Sequence, residues 1–175
     1  MDEFKNKYIY KLSLYKKDER ANLGQKFHSL ICAYLREFNI EKLLKNLSEN
    51  EFKYWIKLEE YLKNKKQNFI KTEYSFLTKE KLKEKDYYLT GRFDAIYKEK
   101  DEYIIYDWKT LNLPKNPEND MQSVVYLYAF EKIFKTKKVK IKYLSIEKLE
   151  FVEVEYKGEN AYKIRIDEIV SKIYT

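Results

Sequence analysis

The residues best suited to chemistry lie in Ile104-Ile105-Tyr106-Asp107-Trp108-Lys109-Thr110 and in the earlier Gly91-Arg92-Phe93-Asp94. Successive side chains on a strand point to opposite faces, so Asp107 and Lys109 project together while Tyr106 and Trp108 point the other way. Asp94 falls on the preceding strand. If the two strands pair as an antiparallel hairpin, two carboxylates and an ammonium meet at one end of a sheet. Carboxylates that close repel and raise one another's pKa unless a cation compensates, and Mg²⁺, a hard oxygen-seeking ion, suits them. Phosphodiester hydrolysis needs an activated water, charge stabilisation at phosphorus and help for the leaving oxygen, all of which a bound divalent cation supplies. Taken alone, the Asp-x-Lys spacing is common by chance and reads as a surface ion pair at a strand end.

The elements that must position these groups follow from periodicity. Leu23, Phe27, Leu30, Ile31, Tyr34, Leu35 and Phe38 form a helical stripe from about Asp18. Ser48 and Glu51 have the capping-box form ahead of a second stripe, Phe52, Trp55, Leu58, Tyr61 and Leu62. Runs 69–77, 87–97 and 103–109 are rich in aromatic and β-branched residues and predict strands, and the charged run 98–102 predicts a tight hairpin between the last two. Residues 111–116 form a turn, and Pro117 is placed to open a helix whose apolar face is Met121, Val124, Val125, Tyr128, Phe130, Ile133 and Phe134. Two further strands, 139–146 and 149–156, precede a terminal helix over 161–173 with Ile164, Ile169, Val170 and Ile173. Tyr8 to Tyr15 alternates as a short edge strand or extended arm. The fold class expected is α/β, a mixed central sheet flanked by helices in the order αα-βββ-α-ββ-α.

At 175 residues the chain is expected to be a single domain over 1–175, too short to carry a motor as well. It divides into a helical N-terminal part (1–66), a catalytic sheet and helix (67–156) and a C-terminal helix (158–175). Three glycines leave no phosphate loop and no dinucleotide fingerprint, which excludes nucleotide-driven and nicotinamide chemistry. The net charge of +7 suits a nucleic acid, and it is equally what the lysine-rich drift of an AT-rich genome produces on a solvated surface. One cysteine, Cys32, allows no intramolecular disulfide and no four-cysteine cluster. No apolar signal core and no membrane-spanning run is evident, so a cytoplasmic protein without a membrane partner is expected.

Company alters the reading of Asp-x-Lys. Gly24-Gln25-Lys26-Phe27-His28, Gly91-x-x-Asp94, Asp107-Trp108-Lys109-Thr110 and Gln122-x-x-x-Tyr126 follow one another across roughly residues 24 to 130, and they resemble the successive motifs of the RecB-like branch of the PD-(D/E)XK nuclease superfamily. The resemblance implies a restriction-endonuclease-like core. It implies that His28, Asp94, Asp107 and the backbone carbonyl of Trp108 ligate Mg²⁺ or Mn²⁺, and that Lys109 assists the nucleophile. It implies too that Gln122 and Tyr126, one helical turn apart, position that lysine or a substrate phosphate. The activity implied is a metal-dependent nuclease acting on DNA, end-processing in preference to endonucleolytic, because Gln-x-x-x-Tyr is typical of the RecB-like and lambda-exonuclease-like group. The rival is a non-catalytic nucleic-acid-binding or adaptor subunit on the same scaffold. Without further cysteines no iron–sulfur cluster is expected, and Phe-Asp stands where many relatives have Pro-Asp.

Each residue also has an ordinary reading. His28, the sole histidine, fits a buried or capping position by helix spacing alone. Cys32 shares its face, but zinc would need two further soft ligands, which leaves Cys32 a small packed residue. Gln122 and Tyr126 could be plain helix residues. Glu73, in Thr72-Glu73-Tyr74, reads equally as a solvent-facing strand glutamate or as the acidic residue that related nucleases carry nearby, and stays outside the set.

Overall fold

The computed structural model describes residues 19–110 and 112–174. The extended arm expected over Tyr8 to Tyr15 lies outside the described residues. Helix α1 (Glu19–Leu35), the one-turn α2 (Glu41–Leu44) and α3 (Glu49–Lys65) precede three strands, β1 (Phe69–Leu82), β2 (Lys85–Glu99) and β3 (Glu102–Lys109). Helix α4 (Met121–Phe134), strands β4 (Val139–Ser145) and β5 (Phe151–Glu155), and helix α5 (Glu159–Tyr174) complete the order. The strands form one sheet in sequence order. All neighbours pair antiparallel except β3 and β4, which run parallel and are joined through α4. A parallel pair needs such a crossover, and the sheet is mixed as expected.

Both faces of the sheet are covered. Phe27, Leu30 and Ile31 of α1 and Trp55, Leu58 and Leu62 of α3 pack on Ala95, Tyr97, Ile104, Tyr106 and Trp108. On the other side Val124, Leu127 and Phe130 of α4 and Tyr162 and Ile166 of α5 pack on Phe93, Ile96, Ile105, Ile141 and Tyr143. The Ser48 capping box forms as expected, its hydroxyl accepting from the Glu51 amide while the Glu51 carboxylate accepts from the Ser48 amide at 2.7 Å.

Several boundaries differ from the sequence reading, each for a local reason. The first strand runs on to Leu82, because Thr78, Glu80 and Leu82 alternate inward and Tyr128 donates a hydrogen bond to the Glu80 carboxylate. Pro117 opens only a single 3-10 turn, Pro117–Asn119, and α4 begins at Met121, where the Asp120 carboxylate caps it by accepting from the Gln122 amide. Asp at the N-cap is the stronger start signal. Phe38 stands outside α1 and is exposed, and Leu149 turns with a φ of 56° before β5. In α5 the buried pair is Tyr162 and Ile166, whereas Ile164 is exposed.

One irregularity bears on function. Phe93 and Ala95 are two apart on β2, yet Phe93 packs with α4 and Ala95 packs with α1 and α3. The pleat is therefore interrupted at Asp94. Thr72 pairs with Ala95 and Tyr74 with Phe93, so Glu73 stands opposite Asp94, and Glu73 has a φ of 54°. For a non-glycine residue this left-handed backbone costs about 1–2 kcal/mol.

Candidate active site

The antiparallel hairpin of β2 and β3 forms as expected, with Ala95 opposite Tyr106, so Asp94 and Asp107 follow as neighbours at the end of the pair. Asp107 and Lys109 share the face toward α4, and their side chains meet with Lys109 Nζ 2.6 Å from Asp107 Oδ1. Tyr106 and Trp108 point into the α1–α3 core. Asp94 Oδ2 accepts a hydrogen bond from the Trp108 amide at 3.0 Å, which fixes the two strand ends to each other. Thr72 donates to the Asp94 carbonyl from β1.

Gly24 sets the approach of α1. A Cβ there would lie 3.3 Å from Thr110 Oγ1, so the absent side chain lets the helix lie close over the residue that follows Lys109. His28 sits one helical turn later on the same face. Its Nε2 lies 3.1 Å from the Trp108 carbonyl and its Nδ1 3.4 Å from Asp94 Oδ1. The imidazole thus reaches two of the groups the motifs nominated as its fellow ligands.

Glu73 joins this cluster, although it was left outside the expected set. His28, Glu73 and Asp94 each offer a ligand atom, and these atoms lie within 4.8 Å of one another, as a divalent-ion site requires. The Arg92 guanidinium holds Glu73 at 2.6 Å. Asp107 lies beside this group, its oxygens engaged by Lys109 and Gln122. Cys32 is a half-buried free thiol.

Helix α4 supplies the second wall. Gln122 Nε2 donates to Asp107 Oδ2 at 2.6 Å, while Gln122 Oε1 accepts from Lys109 Nζ at 3.3 Å, so one amide spans both groups. Tyr126 is elsewhere. Its hydroxyl donates to the Arg92 carbonyl at 2.6 Å, and its ring stands edge-on to Phe93 and Phe76. It therefore braces the strand two residues before Asp94, and it is Gln122 that touches the lysine. Gly91 permits this packing, since a Cβ there would come within 2.4 Å of Phe76 Cζ.

The electrostatics follow from burial. Asp107 is nearly inaccessible, and desolvation followed by repulsion from Asp94 pushes its carboxyl well above the usual range against the pull of Lys109. For His28, burial pushes the imidazole down, but the Asp94 carboxylate, the Trp108 carbonyl and Asp107 outweigh it and raise the pKa overall. The His28 shift reflects the negative groups around the imidazole, whereas the Asp107 shift owes most to burial. Carboxylate oxygens, a backbone carbonyl and one imidazole form a donor set that fits a hard divalent ion of the Mg²⁺ or Mn²⁺ kind.

A cluster of side chains able to ligate a cation beside a lysine, at the end of a mixed sheet covered by helices on both faces, defines the class as a candidate metal-dependent hydrolase. The chain belongs to the PD-(D/E)XK nuclease superfamily, whose family model matches residues 3–172. Membership suggests a metal-dependent nuclease and makes nucleic acid the substrate class. No curated protein matches the sequence. Among solved structures, the chain is similar to the crystal structure of SSO0001 at 19% identity with a TM-score of 0.41, covering 95% of this chain and 83% of that one. That likeness is too loose to bear on function. Among the described residues no helix is long and apolar enough to cross a membrane.

Proposed function

We propose that the protein is a RecB-like, metal-dependent deoxyribonuclease that processes DNA ends. The observation that carries the reading is the continuous constellation of His28, Asp94, Asp107, Lys109 and Gln122, drawn from α1, β2, β3 and α4. His28, Asp94, Asp107 and the Trp108 carbonyl would hold Mg²⁺ or Mn²⁺, with Glu73 completing the set. When bound, the cation supplies Lewis-acid polarisation of a phosphoryl oxygen and acidifies water.

The remaining work belongs to the chain's own side chains. Lys109 orients the attacking water and places its ammonium where negative charge develops on the phosphoryl group, a contact that gains strength in a partly buried site. Gln122 holds Lys109 and Asp107 at a fixed separation, which spares the site that ordering during the reaction. Tyr126 and the Phe76–Gly91 contact keep β2 in place, and with it Asp94. The Gln122-x-x-x-Tyr126 element supports the end-processing preference.

The test is incubation of the purified protein with linear and covalently closed circular DNA, each with Mg²⁺, Mn²⁺ or a chelator. The expected result is cation-dependent loss of linear DNA, with the closed circle spared and no cleavage in chelator. Nicking of the closed circle would overturn the end-processing assignment, and intact DNA in every condition would overturn the nuclease assignment.

A further inference from the structure

The β1–β2 hairpin extends well beyond the rest of the sheet, and its two faces differ. Phe76, Thr78 and Tyr87 point inward, while Ser75, Leu77, Lys79 and Lys81 of β1 and Asp86, Tyr88, Thr90 and Arg92 of β2 are exposed. The cross-strand partners on this face are Ser75 with Arg92, Leu77 with Thr90, Lys79 with Tyr88 and Lys81 with Asp86. Leu77 is 63% and Tyr88 58% exposed, whereas most of the described tyrosines are buried or half-buried. Three cations, Lys79, Lys81 and Arg92, stand against two carboxylates, Asp86 and, at the inner end, Glu73. Lys79 pairs with Asp86, and Arg92, at the inner end, holds Glu73 of the cation-binding cluster. Beyond the interrupted pleat at Asp94, the face runs from Arg92 outward to Tyr88, six residues from Asp94 along β2, about 20 Å at strand spacing.

We propose that this face is the substrate track, on which a single-stranded nucleic acid lies with an unpaired base stacked on Tyr88, its backbone near Lys79 and Lys81, and its scissile end toward Arg92. The inference rests on the nuclease reading and deepens it by naming the strandedness of the substrate. An exposed aromatic among lysines suits a single strand because an unpaired base offers a free π-face, whereas in a duplex both faces are taken by neighbouring bases. Leu77 adds an apolar contact beside the ring. The lysines follow a phosphate backbone without reading sequence.

The test separates binding from cleavage. Binding of a fluorescein-labelled single-stranded oligonucleotide is followed by fluorescence anisotropy in chelator, for the whole protein and for Tyr88→Ala, Tyr88→Phe and Lys79→Ala/Lys81→Ala. Tyr88→Ala is expected to weaken binding at least about fivefold and Tyr88→Phe to retain it. The lysine pair should reduce the slope of log affinity against log salt by about 1.4. Unchanged single-strand affinity in Tyr88→Ala, an equal loss on the matching duplex, or an unchanged salt slope in the lysine pair would overturn the proposal, as would absence of single-strand binding by the parent protein. The two readings fail separately: Tyr88-dependent binding without cation-dependent cleavage would sink the nuclease reading and keep the track, and cleavage with Tyr88-independent binding would do the reverse.

Discussion

Gln122 is the residue whose role follows most directly from geometry, because its one amide touches both Asp107 and Lys109. The perturbation is a double-mutant cycle of Gln122→Ala and Lys109→Ala. Hydrogen bonds to charged groups contribute about 1.5–3 kcal/mol, the 2.6 Å bond to Asp107 standing at the stronger end and the 3.3 Å bond from Lys109 at the weaker. Loss of that much positioning where charge develops lowers kcat/KM roughly 10- to 150-fold. Lys109→Ala removes the preorganised cation itself and should cost on the order of 10²- to 10³-fold. Once Lys109 is gone Gln122 has only Asp107 left to hold, so its removal from that background should cost clearly less than it does in the parent. The assay is cation-saturated cleavage of linear DNA under kcat/KM conditions, with thermal denaturation confirming that each variant folds. Additive losses in the double variant would refute the claim that Gln122 acts through Lys109.

Three further outcomes are expected. His28→Ala and Glu73→Gln should each raise the Mn²⁺ concentration needed for half-saturation in calorimetry, and an unchanged titration for either would return that residue to a structural role. Gly91→Ala forces a Cβ into the Phe76 ring at 2.4 Å, and overpacking of about 1–3 kcal/mol lowers the melting temperature by roughly 2–12 °C; an unchanged Tm would show that Phe76 yields freely. Ser48→Ala opens the α3 capping box and should cost about 1 kcal/mol in denaturant unfolding, and a variant as stable as the parent would show that the box contributes nothing.

Much of this was legible in the sequence because the spacings are short and tied to fixed periods. Asp107 and Lys109 share a face by the two-residue period of a strand, and the charged run 98–102 makes the β2–β3 hairpin that brings Asp94 alongside. His28 was harder to read, since its ligand-facing position depends on Gly24 letting α1 approach Thr110, a contact between distant segments. Glu73 was legible only as one of two equal alternatives. Nothing in Thr72-Glu73-Tyr74 favours a left-handed residue, and the pleat interruption that brings Glu73 to the cluster is visible only in how Phe93 and Ala95 part to opposite faces. The outer half of the β1–β2 hairpin was missed for the same kind of reason. Residues 78–86 are mostly charged and lack β-branched runs, yet all but the turn at Lys83 and Glu84 form strand, where α4 and α5 offer Glu80 and Tyr87 partners in Tyr128 and Asp167. Pro117 misled because Asp120, three residues on, is the cap that starts α4.

In the proposed function Lys109, beside a cation held by His28 and the acidic groups, drives phosphodiester hydrolysis. The most direct test of that role is cleavage of linear DNA by the parent protein and by Lys109→Ala in the same saturating Mn²⁺, with a chelator control. Cation-dependent cleavage is expected of the parent, and at least about a hundredfold loss in a variant that still folds and still binds Mn²⁺. A variant that cleaves as fast as the parent, or a parent that cleaves equally well in chelator, would contradict it.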